Sequence, residues 1–297
     1  MSRKTANDFD PEVLRLFDQY VHGLIDRRGF LAAAAKYAAV SGVTAVGLLE
    51  ALSPKFAQAQ QVPANDARIK TQYVELPSPD GYGKVRGYLA QPANAKGKLP
   101  TVLVVHENRG LNPHIEDITR RLALDNFIAF APDALFTLGG YPGDEDKARE
   151  LFAKLDQAKT RNDFLVAAKY LKTLPAGNGK LGAVGFCYGG GIVNYLATQL
   201  PDLAAGVPFY GDQPPAEDVV KIKAPLLIHY AEKDNRINGG WPKFEEALKA
   251  AHVKYEVYFY PGTQHGFNND TTPRYDEAAA KLAWQRTVKF FSTHLRA

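Results

Sequence analysis

The chain has 297 residues, 45% hydrophobic and 23% charged, with 36 Lys or Arg against 32 Asp or Glu. This is the composition of a globular protein, and it excludes disorder, collagen-like repeats and a nucleic-acid-binding charge profile; the net charge of +4 is mild for the length. Cys187 is the single cysteine, so internal disulfides and cysteine-rich zinc modules are excluded, because both need more than one thiol.

In chain order, Asp10-Pro11 is a helix-start signal, and Leu14, Phe17, Val21 and Leu24 share one helical face. Arg27-Arg28-Gly29-Phe30-Leu31 then opens an Ala-rich apolar run to Leu52, and Ala57-Gln58-Ala59 follows. In that order these features resemble a twin-arginine export signal. Lys36 and Glu50 inside the run argue against a stable membrane span, because a charge near a helix centre is costly in a bilayer. The expectation is a signal over residues 1–59, which sends residues 60–297 to the periplasm as a single domain. The alternative is a retained N-terminal helical extension on a cytoplasmic protein.

From residue 69 onward, short apolar runs alternate with amphipathic stretches, which predicts an α/β fold: a mainly parallel, doubly wound sheet with helices on both faces. Residues 73–76 and 85–89 flank the turn-rich Ser78-Pro79-Asp80-Gly81 and predict an edge hairpin. Further strands are predicted at 101–105, 127–130, 180–186, 203–209, 225–229 and 255–258. Helices are predicted at 116–124, 144–155, 161–174, 191–199, 242–251 and 275–295.

Cys187 lies in Gly185-Phe-Cys-Tyr-Gly-Gly-Gly191, after a predicted strand and before a predicted helix. That is the context of a nucleophile elbow, with cysteine where serine is commoner. The flanking glycines suit a sharp turn that leaves no room for a β-carbon, and the helix N-terminus beyond favours a thiolate. The plainer reading is a small buried hydrophobe at a turn. Partners follow in the order an α/β-hydrolase requires. Asp234 sits on the loop after strand 225–229, with Glu232 as the alternative acid, and His265 on the loop after strand 255–258. His265 would take the thiol proton, and Asp234 would fix its tautomer. After strand 101–105, the loop His106-Glu107-Asn108-Arg109-Gly110 is placed to donate one oxyanion N–H, from Asn108, with the second from Tyr188. His106 and His114 flank this loop, but no metal-ligand spacing emerges.

These motifs resemble the dienelactone hydrolases, or carboxymethylenebutenolidases, over residues 70–295. The resemblance rests on Gly-Phe-Cys187-Tyr-Gly-Gly, the Asp234 loop, His265-Gly-Phe and Glu107-x-x-Gly110, and the long leader suggests an exported or extended subgroup. It implies an α/β-hydrolase fold, no cofactor, and a Cys187-His265-Asp234 triad that opens lactones or esters through an acyl-cysteine. It also implies that Glu107 interacts with the resting cysteine. Members of that family hold a substrate carboxylate with arginines, and the corresponding stretches here, 133–140 and 267–270, contain none. Arg109, Arg236 and Arg274 are the candidate replacements, with Tyr141 and Phe267 as candidate apolar walls. The partner expected is a small ester or lactone, with no nucleic acid. The competing class is a non-catalytic envelope or binding protein on the same fold. A thiol redox role is disfavoured, because no resolving cysteine is present.

Overall fold

The computed structural model describes residues 4–296, apart from the side chain of Ser41. Four helices come first: α1 (Pro11–Val21), α2 (Arg27–Ser41), α3 (Ala45–Leu52) and α4 (Phe56–Ala59). The remainder runs β1 (Ile69–Ser78), β2 (Gly83–Pro92), β3 (Leu99–Val105), α5 (Pro113–Leu124), β4 (Ile128–Pro132), α6 (Glu145–Phe152), α7 (Gln157–Thr173) and β5 (Gly177–Phe186). It continues through α8 (Tyr188–Gln199), β6 (Ala205–Phe209), β7 (Leu226–Lys233), α9 (Asn235–Asn238), α10 (Trp241–Ala250), β8 (Tyr255–Gln264) and α11 (Glu277–Leu295). Every strand and helix expected from the sequence after residue 69 is present, with ends shifted by a few residues.

The strands form one sheet in the order β1-β2-β4-β3-β5-β6-β7-β8. β1, β2 and β4 pair antiparallel, and β3 to β8 pair parallel with their sheet neighbours. The side-chain alternation of the central strands divides the core in two. Leu103 and Val105 face α7, α8 and α10, whereas Val102 and Val104 face α5 and α11. The chain runs from β3 outward to β4 and returns to β5 on the other side of β3, so the carboxyl ends of β3 and β5 border a topological switch point, where open α/β sheets build their sites.

The N-terminal helices have a core of their own, in which Val13, Leu14, Leu16, Phe17 and Tyr20 of α1 pack with Phe30, Ala34, Leu48, Leu49 and Leu52. Two details differ from the expected face of α1. Leu24 lies beyond the helix and is exposed, and Val21 is only half-buried. The helix begins as expected, with Asp10 accepting a hydrogen bond from the Glu12 N–H and Pro11 in the first turn. Arg27 opens α2 behind an Asp26 cap. Among the described residues no single helix is long and apolar enough to cross a membrane.

Candidate active site

Cys187 occupies the turn between β5 and α8 with φ 54° and ψ −116°. A side chain at positive φ is strained, and this conformation lifts the thiol off the strand end. The glycines on either side make the turn possible. A β-carbon on Gly185 would lie 2.1 Å from the Gly189 carbonyl oxygen, and one on Gly189 would lie 2.2 Å from that of Val105. The first turn of α8 thus rides directly on the end of β3. Tyr188 is the first helical residue, so its N–H is among those with no partner inside the helix.

His265 ends up beside Cys187 because β8 runs on to Gln264 before the chain turns. Its Nδ1 lies 2.5 Å from Asp234 Oδ2, and both side chains are buried. Asp234 Oδ1 meanwhile accepts the Ile237 N–H and caps α9, which fixes the carboxylate from both sides. The His265 Nε2 is buried without a hydrogen-bond partner of ordinary geometry, and a ring nitrogen of His265 lies within 4.8 Å of Cys187 Sγ. Burial raises the thiol pKa, but the charges of His265 and His22 outweigh it and bring Cys187 down to about 6. For His265, burial acts downward while the Cys187 charge and the Asp234 hydrogen bond act upward, with a net rise to about 10. Each group thus favours the charged form of the other, the thiolate with the imidazolium.

One neighbour of the thiol comes from an unexpected place. His22, just past the end of α1, sets its Nε2 3.4 Å from Cys187 Sγ and its ring 4.7 Å from that of His265. Its Nδ1 contacts the Asp18 backbone oxygen at 2.7 Å and the Asp18 carboxylate at 3.3 Å. Burial lowers the proton affinity of His22, and the Cys187 charge and Asp18 more than reverse the effect. His22, Cys187 and His265 are the described residues whose donor atoms converge as metal ligands do. Arg236, however, brings its Nη2 within 2.9 Å of His22 Nε2, which puts a guanidinium where a metal ion would need room.

The loop after β3 is pinned by His106, whose Nδ1 bonds the Glu107 carbonyl at 2.5 Å and whose Nε2 accepts the Ala134 N–H at 3.2 Å. Burial holds this histidine neutral, with its pKa down to about 4. His114 is buried too, 3.1 Å from Asp270. Glu107 faces the cavity and accepts a hydrogen bond from Asn269 Nδ2 at 2.8 Å; the side chain in contact with the resting thiol is His22. Asn108 donates its side-chain amide to the Val21 carbonyl at 2.8 Å.

A cavity of about 260 Å³ opens above Cys187 and His265, lined also by Phe17, Tyr20, His22, Glu107, Arg109 and Arg274. Three expected substrate contacts, Arg236, Phe267 and Tyr141, are not among its walls. Phe267 is fully buried against Phe209, Tyr210 and Tyr260, so it is part of the core. Tyr141 turns its hydroxyl to Glu145 at 2.8 Å, and it is Glu145 that reaches the cavity. The sequence reading missed Asp18, His22, Phe17 and Tyr20, because it set residues 1–59 aside as a leader. The available signal was the amphipathic face of α1.

Comparison with known proteins gives the family and the fold. The family model "Dienelactone hydrolase family" matches residues 85–295. A second model, "YqhI-like", matches residues 1–38. An Escherichia coli K12 protein provisionally named a hydrolase fragment is 54% identical over 114 residues, 38% of this chain and 97% of its own length. A Synechocystis protein provisionally named a carboxymethylenebutenolidase is 33% identical, over 77% of this chain and 98% of its own. The crystal structure of a protein provisionally assigned as a dienelactone hydrolase, from Klebsiella pneumoniae, superposes with a TM-score of 0.67 at 32% identity. It covers 75% of this chain and 99% of that one. The chain is a member of the dienelactone hydrolase family, an α/β-hydrolase.

Proposed function

We propose that this hydrolase cleaves a carboxylic ester or lactone through Cys187 as nucleophile, with His265 as acid and base and Asp234 orienting it. The observation that carries this reading is the strained elbow cysteine whose thiol lies within reach of a histidine held by a buried aspartate. The Cys187 thiolate adds to the ester carbonyl, and the C=O electron pair moves onto oxygen. Backbone N–H groups of Tyr188 and Asn108 receive that oxyanion. The C–O bond to the leaving group then breaks, His265 gives the departing alkoxide its proton, and an acyl-cysteine remains. A water molecule, deprotonated by His265, attacks the acyl-cysteine and releases the acid and the thiolate. In a lactone both products stay in one molecule. Purified protein incubated with small aryl esters should release the phenol, and Cys187→Ala should not. Equal rates from both forms would refute the reading.

We further propose that residues 1–59 remain with the folded protein rather than being cut off after Ala59. Their own apolar core, the seat of His22 on Cys187 and the family model over residues 1–38 support retention. The arginine pair and the Ala57-Gln58-Ala59 step support cleavage. Mass analysis of the native N-terminus is expected to find Met1 or Ser2, and a start at Gln60 would overturn the proposal. Cell fractionation then separates an exported from an unexported protein.

A further inference from the structure

The three arginines that could receive a substrate carboxylate are already engaged, and by the same helix. Arg274 Nη1 lies 3.4 Å from Asp18 Oδ1, with its guanidinium over the Phe17 ring. Arg236 reaches the other Asp18 oxygen at 3.9 Å and His22 at 2.9 Å, and through Nη1 Asp212 at 3.7 Å. Both terminal nitrogens of Arg109 donate to the Val21 carbonyl at 3.2 Å, and its Nε faces Glu145 at 3.4 Å. Arg27, the other cation on the cavity wall, pairs with Asp146 at 2.9 Å. The α1 carboxylate thus sits in a nest of guanidinium and imidazole groups within one residue's reach of the nucleophile. Burial opposes its ionisation, but the His22 hydrogen bond and the charges of His265, His22 and Arg274 keep it ionised.

Resting on the ester- or lactone-hydrolase reading and on the retention of residues 1–59 proposed above, we infer that Asp18 is a built-in specificity determinant: it occupies the cation cluster beside Cys187, so the site takes uncharged acyl groups and rejects those bearing a second carboxylate. A substrate anion entering the cavity meets Glu107, Asp144, Glu145 and Asp146 on its walls and finds the guanidiniums paired. Displacing Asp18 would leave a charge without its partners at a half-buried position, which is costly. The Arg109 Nε–H is directed at Glu145 alone, and the Arg274 Nε–H is buried without a hydrogen-bond acceptor. Phe17 and Tyr20 of the same helix supply the apolar part of the wall.

The test compares two esters that differ only at the far end of the acyl chain, para-nitrophenyl butyrate and mono-para-nitrophenyl succinate. The full chain is expected to favour the butyrate ester by about tenfold or more in kcat/KM, and Asp18→Asn to shift the ratio toward the succinate ester by about tenfold, mostly through KM. The full chain turning over both esters within about threefold, or an unchanged ratio in Asp18→Asn, would overturn the inference. A readout without turnover separates this from failure of the hydrolase reading. Calorimetric titration with succinate should show binding to Asp18→Asn and none to the full chain, and equal behaviour of the two overturns the inference even if neither ester is hydrolysed. If Asp18→Asn does not fold, succinate binding to the full chain still decides against the inference and its absence for it.

Discussion

If Cys187 is the nucleophile and His265 its acid and base, as proposed, two residues set the working pH of the site. Cys187 titrates near 6 because the charges of His265 and His22 overcome burial, and His265 titrates near 10 because the thiolate and Asp234 do the same for it. On that proposal attack is expected to be lost below about 6, where the thiolate gains a proton. Above about 10 the imidazolium loses the proton that the leaving group needs. The kcat/KM profile should therefore be bell-shaped with limbs near those values, and iodoacetamide should alkylate Cys187 with a midpoint near 6. An alkylation midpoint at the ordinary thiol value, about 8.5, would show that neither histidine is charged beside it. Asp234→Asn keeps the shape of the carboxylate but offers His265 Nδ1 the wrong partner. It is expected to lower kcat by roughly two to four orders of magnitude with the melting temperature nearly unchanged. A loss in melting temperature alone would mean that the aspartate serves mainly as the cap of α9.

At the scale of elements, the site depends on how closely α8 approaches β3. Gly189→Ala would drive a β-carbon to 2.2 Å from the Val105 carbonyl oxygen, a backbone atom that cannot swing away. It is expected to cost more than about 4 kcal/mol, measured as a fall in the denaturant midpoint, and to abolish activity in whatever remains folded. This elbow was legible in the sequence because strand, turn and helix are contiguous and the steric demand falls on neighbouring residues. The Asp234 and His265 loops were legible for the same reason, each following an apolar strand run. What the sequence hid is pairing at long range: His22 and Cys187 are 165 positions apart, and no local pattern records their contact. Asp18 and His22 do stand four apart at the end of α1, the spacing of neighbours on a helix, but the arginine pair that follows drew the whole segment into a leader. Phe267 and Tyr141 show the converse error. Both are close in sequence to site residues, yet one points into the core and the other toward a supporting carboxylate.

For the whole molecule, the N-terminal unit and the sheet unit meet across the cavity. The N-terminal core around Phe30 shares none of its buried residues with the two cores on the faces of the sheet, and it is tied to them by polar contacts. Tyr20 bonds Asp146, Arg149 donates to the Tyr20 carbonyl and stacks on its ring, and Asn108 and Arg109 hold Val21. Such a unit can open while the sheet stays folded, because local stability follows local apolar packing. Phe30 is fully buried, with its ring centroid 6.2 Å from that of Phe17 and 5.5 Å from that of Tyr20, so Phe30→Ala removes the centre of that packing. The expected cost is about 3–5 kcal/mol, confined to residues 4–52. If α1 closes the site by docking, as the His22 contact requires, a bulky maleimide should label Cys187 markedly faster in Phe30→Ala, while the main thermal transition of the sheet stays where it was. Unchanged labelling would mean that α1 holds its place through the arginine contacts alone. A lowered main transition would mean that the two cores fold as one unit.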